Sequence, residues 1–157
     1  MRLAAIREEG FTLLELMIVV TIIAIIMSMG VPMYMRTVSK AKEISVADEL
    51  KKIADAIDLY IVENNEPPAS LADVGMDGMT DPWGNPYEYL PLTGSHAPGN
   101  SKGKARKDHN LVPINTDYDL YSRGPDGKTA SPLTANQSKD DIVRAQNGAF
   151  FGTAEDY

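Results

Sequence analysis

Hydrophobic positions follow three regimes along the chain. From Phe11 to Met35 the residues are apolar on every side, 25 positions without a Lys, Arg, Asp, Asn or Gln and with Glu15 as the one acid. As a helix this run would be roughly 37 Å long, enough to cross a hydrocarbon layer of ~30 Å. After Met35 the pattern turns amphipathic. Val46, Ala47, Leu50, Ile53, Ala54, Ile57 and Ile61 recur at helical spacing, while Lys40, Lys42, Glu43, Glu49, Lys51 and Lys52 take other faces. One helix is therefore predicted from about residue 12 to about 63, with a kink or local melting at Gly30 and Pro32. Asn64-Asn-Glu-Pro-Pro68 stops it, because two prolines cannot continue a helix.

Beyond that point the periods are short. Ser70 to Val74 reads as one helical turn, and Asp81-Pro-Trp-Gly-Asn-Pro86 is a dense set of turn formers around the single tryptophan. Tyr87-Glu-Tyr-Leu90 and Asp117-Tyr-Asp-Leu-Tyr-Ser122 read as strands, and Leu111-Val-Pro-Ile114 as an edge strand because of its proline. The predicted architecture is α+β: a long N-terminal helix, membrane-spanning in its first half, packed on a small antiparallel sheet, with a C-terminal loop region. The boundaries are a leader over 1–10, a transmembrane helix over 11–35, its amphipathic continuation over 36–64, and a globular domain over 65–157.

Composition narrows the function classes. At 157 residues, 43% hydrophobic and 24% charged, the chain suits one ordinary domain rather than a disordered or polytopic protein. Fifteen Lys and Arg against 22 Asp and Glu leave a net charge of −7, which argues against a nucleic-acid partner. The absence of cysteine excludes disulfides, thiolate zinc sites and a cysteine nucleophile. Arg2 and Arg7, ahead of the apolar run, favour a cytoplasmic N-terminus. A conventional secretory signal cut before Val31, after Ser28-Met-Gly30, is the simpler alternative. The length of the run, the acid inside it and the helical pattern continuing past Pro32 weigh against that alternative.

Candidate chemistry is sparse, and no catalytic set emerges. His96 and His109 lie in a polar stretch, Thr93–Asn110, without metal-like or nucleophile-like companions, and Lys102, Lys104, Arg106 and Lys107 in the same stretch read as a mobile basic loop open to an acidic partner. Met17, Met27, Met29, Met33 and Met35 read as packing residues of the apolar helix. Asp126, Asp140 and Asp141, separated by a Thr/Ser/Asn-rich loop with glycine turns, supply hard oxygen donors of the kind calcium takes, six to eight at a time. A turn plus surface acids is the plainer reading. Asp117 and Asp119 are weaker candidates and are expected to face solvent.

Gly10-Phe-Thr-Leu-Leu-Glu15, behind a short basic leader, resembles the class III signal of type IV pilins and pseudopilins. The resemblance implies that a prepilin peptidase cuts between Gly10 and Phe11 and methylates the new amine of Phe11, leaving the helix in the membrane. It also gives Glu15 a purpose, since a carboxylate in hydrocarbon needs a cationic partner, which the Phe11 amine of a neighbouring subunit would supply. A lone acid favoured by the dipole near a helix start is the alternative. The string at 81–87, together with Tyr118-Asp-Leu-Tyr-Ser-Arg-Gly-Pro-Asp-Gly127, is similar to the major pseudopilins of type II secretion systems. The chain departs from that pattern in a shorter 69–80 segment, in the polar insertion Thr93–Asn110 and in its ending from Asp140.

Membership of that family implies a type IV pilin-like fold and a non-enzymatic subunit that polymerises through its helix into a periplasmic pseudopilus, driving folded proteins across the outer membrane. Its implied partners are copies of itself, minor pseudopilins, the prepilin peptidase and an inner-membrane assembly platform. The implied location is the inner membrane, with one pass and the C-terminal domain in the periplasm. The resemblance further implies Ca²⁺ held by Asp126, Asp140, Asp141 and main-chain oxygens such as the Arg123 carbonyl. A type IV pilus or competence pseudopilus subunit, and a non-polymerising, membrane-anchored calcium-binding module of the periplasm, are the competing readings.

Overall fold

The computed structural model describes residues 10–157, so the leader expected over 1–10 lies, apart from Gly10, outside the described residues. The first element is α1, Leu13–Asn64, 52 residues long. Thr12 and Glu15 fix its start reciprocally. The Glu15 N–H donates to Thr12 Oγ at 3.2 Å, and the Thr12 N–H and hydroxyl both donate to Glu15 Oε2 at 2.8 Å. At the other end Asn65 adopts φ +59°, a left-handed conformation that asparagine tolerates, and Pro67 and Pro68 block any further turn. The helix runs unbroken through Gly30 and Pro32, which corrects the melting expected there. A proline forfeits one N–H bond, and the unbroken aliphatic turns on both sides hold the rest.

Two compact units divide the chain, one reaching to Ser39 and the other Lys40–Tyr157. In the first, Phe11 and the apolar residues of α1 behind it are exposed throughout, from Leu13 at 75% to Met35 at 65%. Thr21, Ser28 and Thr37 turn their hydroxyls back onto carbonyls of the preceding turn at 2.7–3.0 Å. Their polar atoms are thereby satisfied within the helix, as an apolar solvent requires.

The second unit is built on a four-stranded antiparallel sheet in the order β1 (Glu88–Pro91), β2 (Tyr118–Ser122), β3 (Ile142–Ala145) and β4 (Phe150–Thr153). Val46, Leu50, Ile53, Ala54 and Ile57 of α1 pack on one face, against Tyr87, Tyr118, Leu120 and Ile142. Two phenol groups pin helix to sheet: Tyr87 donates to Glu49 at 2.5 Å and Tyr118 to Asp58 at 2.8 Å. Burial pushes both phenol pKa values up, so the protonated donors are the stable form. A second cluster, Ile114, Leu133, Val143, Ala145 and Ala154, covers alternate residues of the sheet.

The 3-10 turn Leu71–Val74 lies where expected, behind a Ser70 capping box. The segment 111–114 does not form an edge strand. Asp108 and Leu111 close a tight turn instead, with reciprocal backbone bonds at 3.0 and 2.6 Å, Leu111 and Val112 exposed, and Ile114 turned into the second cluster. The C-terminal region carries more order than a loop. All four residues of β3 are buried, because both faces of that strand are covered, and such a strand shows no alternation to read. The insertion is likewise not solvated throughout: Ser101–Lys104 forms one helical turn, α2, and Ala105 and Arg106 behind it are buried.

Candidate functional site

Two places gather the residues singled out from the sequence. At the start of α1, Gly10 and Phe11 are exposed and lie ahead of the first turn. Glu15 is the only acid in the apolar segment that follows. Its carboxylate folds back onto Thr12, so the charge is held by one N–H and one hydroxyl of its own chain. Thr12 was not singled out from the sequence. The T-x-x-E spacing that names it is the capping-box signature and was legible. The helix behind it is long and apolar enough to cross a membrane, and its most apolar stretch is wholly exposed in the chain by itself.

The second place is the junction of the two turn-rich strings. Asp81 accepts N–H bonds from Trp83 and Asn85 at 3.0 and 2.9 Å, and its other oxygen takes the Ser122 hydroxyl at 2.6 Å. Asn85 reaches the Gly124 carbonyl at 2.8 Å. Segments 39 and 41 residues apart in sequence thus close on each other, and Gly124 sits at the centre at φ +64°. A Cβ there would lie 2.1 Å from the Asp140 carbonyl oxygen. Gly124→Ala is expected to cost about 2 kcal/mol or more, since it adds left-handed strain to a backbone clash. A thermal unfolding curve checks this, and an unshifted midpoint would contradict it.

The three aspartates behind Gly124 face different partners. Asp126 is exposed, accepts the Lys128 N–H at 2.7 Å and donates its own N–H to Asp140 at 3.2 Å. Asp141 is fully buried and turns Oδ2 onto the Arg106 guanidinium and the Thr129 hydroxyl. Burial pushes its carboxyl pKa up, while Thr129 and Arg106 draw it back. Arg123 places its guanidinium on Glu88. Asp119, expected in solvent, is buried at 0% exposure, because it faces the covered side of β2 and receives the Arg106 N–H at 2.6 Å and the Asn115 amide at 2.9 Å. Burial likewise pushes the Asp119 carboxyl up, against those two donors. Asp117 pairs with Arg144, which is itself buried over the Tyr118 ring.

Among the described residues, no three histidine or acidic side chains come together in a way that could hold a metal ion. Calcium needs several converging oxygens, and here one of the three carboxylates already faces an arginine. The set does not fit the ion. His96 and His109 sit on the surface beside Glu66 and Asp108 respectively, and among the described residues neither joins a group of three metal-ligating side chains.

Comparison with known proteins adds to this geometry. The family described as the prokaryotic N-terminal methylation motif matches residues 6–31. The type II secretion system core protein G of Pseudomonas aeruginosa is 33% identical over 143 residues, covering 78% of this chain and 87% of that protein. The protein of the same name from Klebsiella pneumoniae is 29% identical over 140 residues, covering 87% of this chain and 93% of its relative. That of Escherichia coli is 28% identical over 143 residues, 78% of this chain and 85% of the other. No solved structure gives a significant match.

Proposed function

Since the chain belongs to the type II secretion system core protein G family, we propose that it is the structural subunit of a pseudopilus. The subunit polymerises through the N-terminal half of α1 and drives export of folded proteins across the outer membrane. The observation that carries this reading is the composition of the helix start. An exposed apolar rod holds a single carboxylate, Glu15, four residues beyond Phe11. A plain membrane anchor has no use for an acid in an apolar segment, where a carboxylate without a partner is disfavoured. A subunit that stacks with an axial offset does, because the acid then meets the α-amine of a neighbour's Phe11 and sets the register.

In this reading a prepilin peptidase cuts between Gly10 and Phe11 and methylates the new amine. The N-terminus faces the cytoplasm, and the unit Lys40–Tyr157 lies in the periplasm. The chain carries out no chemistry of its own, and it works with further copies of itself, minor pseudopilins and an inner-membrane platform. The test is complementation of a strain whose type II secretion apparatus is complete except for its core pseudopilin. The chain is expected to restore release of exported proteins to the medium, and the membrane-extracted product should have the mass of a chain beginning at Phe11 with one added methyl. Substrates remaining in the periplasm of a strain that makes the processed subunit would defeat the proposal. A mass beginning at Val31 would defeat the processing step.

A further inference from the structure

The buried arginine of the insertion has a charge that the surrounding loop needs. Asp141 is 0% exposed and Arg106 3%. An isolated carboxylate in that position would be strongly disfavoured, so it is either protonated or accompanied by a cation, and a guanidinium faces it. We propose that the Arg106 guanidinium is that cation: a built-in, non-exchangeable substitute for a divalent metal that holds the 122–141 loop closed, so that the globular unit folds and keeps its stability without calcium.

Four features of the site support this. The guanidinium donates to Asp141, to the Thr129 hydroxyl and, at 2.7 Å, to the Ala130 carbonyl, which ties one stretch of the loop to another. It lies over the Tyr121 ring, 4.3 Å from the centroid, which gives the cation an apolar, polarisable floor. Its own backbone N–H is fixed on Asp119, which is held in turn by Asn115. The position is therefore built from both ends. Finally, a metal arriving at Asp141 Oδ2 would displace a guanidinium that cannot shed its proton, leaving a buried cation unpaired. The remaining oxygen, Oδ1, is buried without a partner, and one oxygen is far short of a calcium shell. The insertion Thr93–Asn110 is what delivers Arg106 to this place, which gives that segment a structural purpose.

The experiment follows thermal unfolding of the full chain in detergent by Trp83 fluorescence, with calcium and with chelator. The parent is expected to melt at the same midpoint in both. Arg106→Met should lower the midpoint by about 5 °C or more in chelator, and Arg106→Met/Asp141→Leu, which removes both charges, should recover at least half of that loss. A parental midpoint that climbs by several degrees with calcium would overturn the proposal, as would an Arg106→Met protein as stable as the parent. If Arg106→Met does not fold, Arg106→Lys decides. Retention of most of the parental midpoint in chelator supports a charge role, and collapse to the unfolded state refutes it. These readouts concern folding alone, so they stand or fall separately from assembly.

Discussion

Replacing Glu15 with leucine or valine is expected to leave the chain in the membrane while reducing its polymer at least tenfold. The two effects have opposite physical signs. Exchanging a carboxylate for an aliphatic side chain favours insertion, so a loss of polymer cannot be blamed on failed insertion. The same exchange removes the only charge in the apolar segment to which a neighbour's Phe11 amine could be matched. Removing one partner of an ion pair in a low dielectric leaves the other charge uncompensated, at a cost of about 3–5 kcal/mol, more than the ~1.4 kcal/mol that corresponds to a tenfold change in an equilibrium. In the free chain Thr12 donates both of its bonds to one oxygen of the Glu15 carboxylate, Oε2, and a carboxylate can accept from more than one donor. The measurement is fractionation of membranes followed by crosslinking and by shearing of surface polymer. Parental polymer yield from both variants would remove Glu15 from the mechanism.

The second large effect lies in the globular unit. Ile53 is completely buried where α1 meets the sheet, and Ile53→Ala is expected to cost about 2–5 kcal/mol through lost burial and the cavity left behind. Leu59 lies on the same helix at 61% exposure, and Leu59→Ala should stay within about 0.5 kcal/mol of the parent. Urea or thermal unfolding of both variants reports the difference. Equal midpoints for the two would mean that the helix does not pack on the sheet through the stripe at 46, 50, 53, 54 and 57.

That stripe was fully legible in the sequence, as were the limits of α1, because a 52-residue helix repeats its period often enough to stand out. The two turn-rich strings were legible as turns and as a resemblance. What no local pattern indicates is that Asp81 reaches Ser122 and Asn85 reaches Gly124. The strands β3 and β4 were missed for opposite reasons. Every residue of β3 is buried with Arg144 among them, while β4 is four residues long and half-exposed with a glycine in it. The largest difference concerns charge. Arg106 sits among lysines, histidines and glycines that suggest a solvated loop, and its partner Asp141 is 35 residues away. The same distance hid the fate of the three aspartates. Order along the chain suggested a shared metal, whereas in space Asp141 faces an arginine, Asp126 caps a turn and Asp140 receives a backbone N–H.

Polymerisation through the N-terminal helix is visible by electron microscopy of cells that overproduce this chain alongside a complete secretion apparatus. Thin filaments are expected that label with antibody against the 40–157 unit and that vanish when Gly10 is replaced by a bulkier residue. Abundant processed subunit in the membrane, with no filament in any field, would contradict polymerisation through the helix.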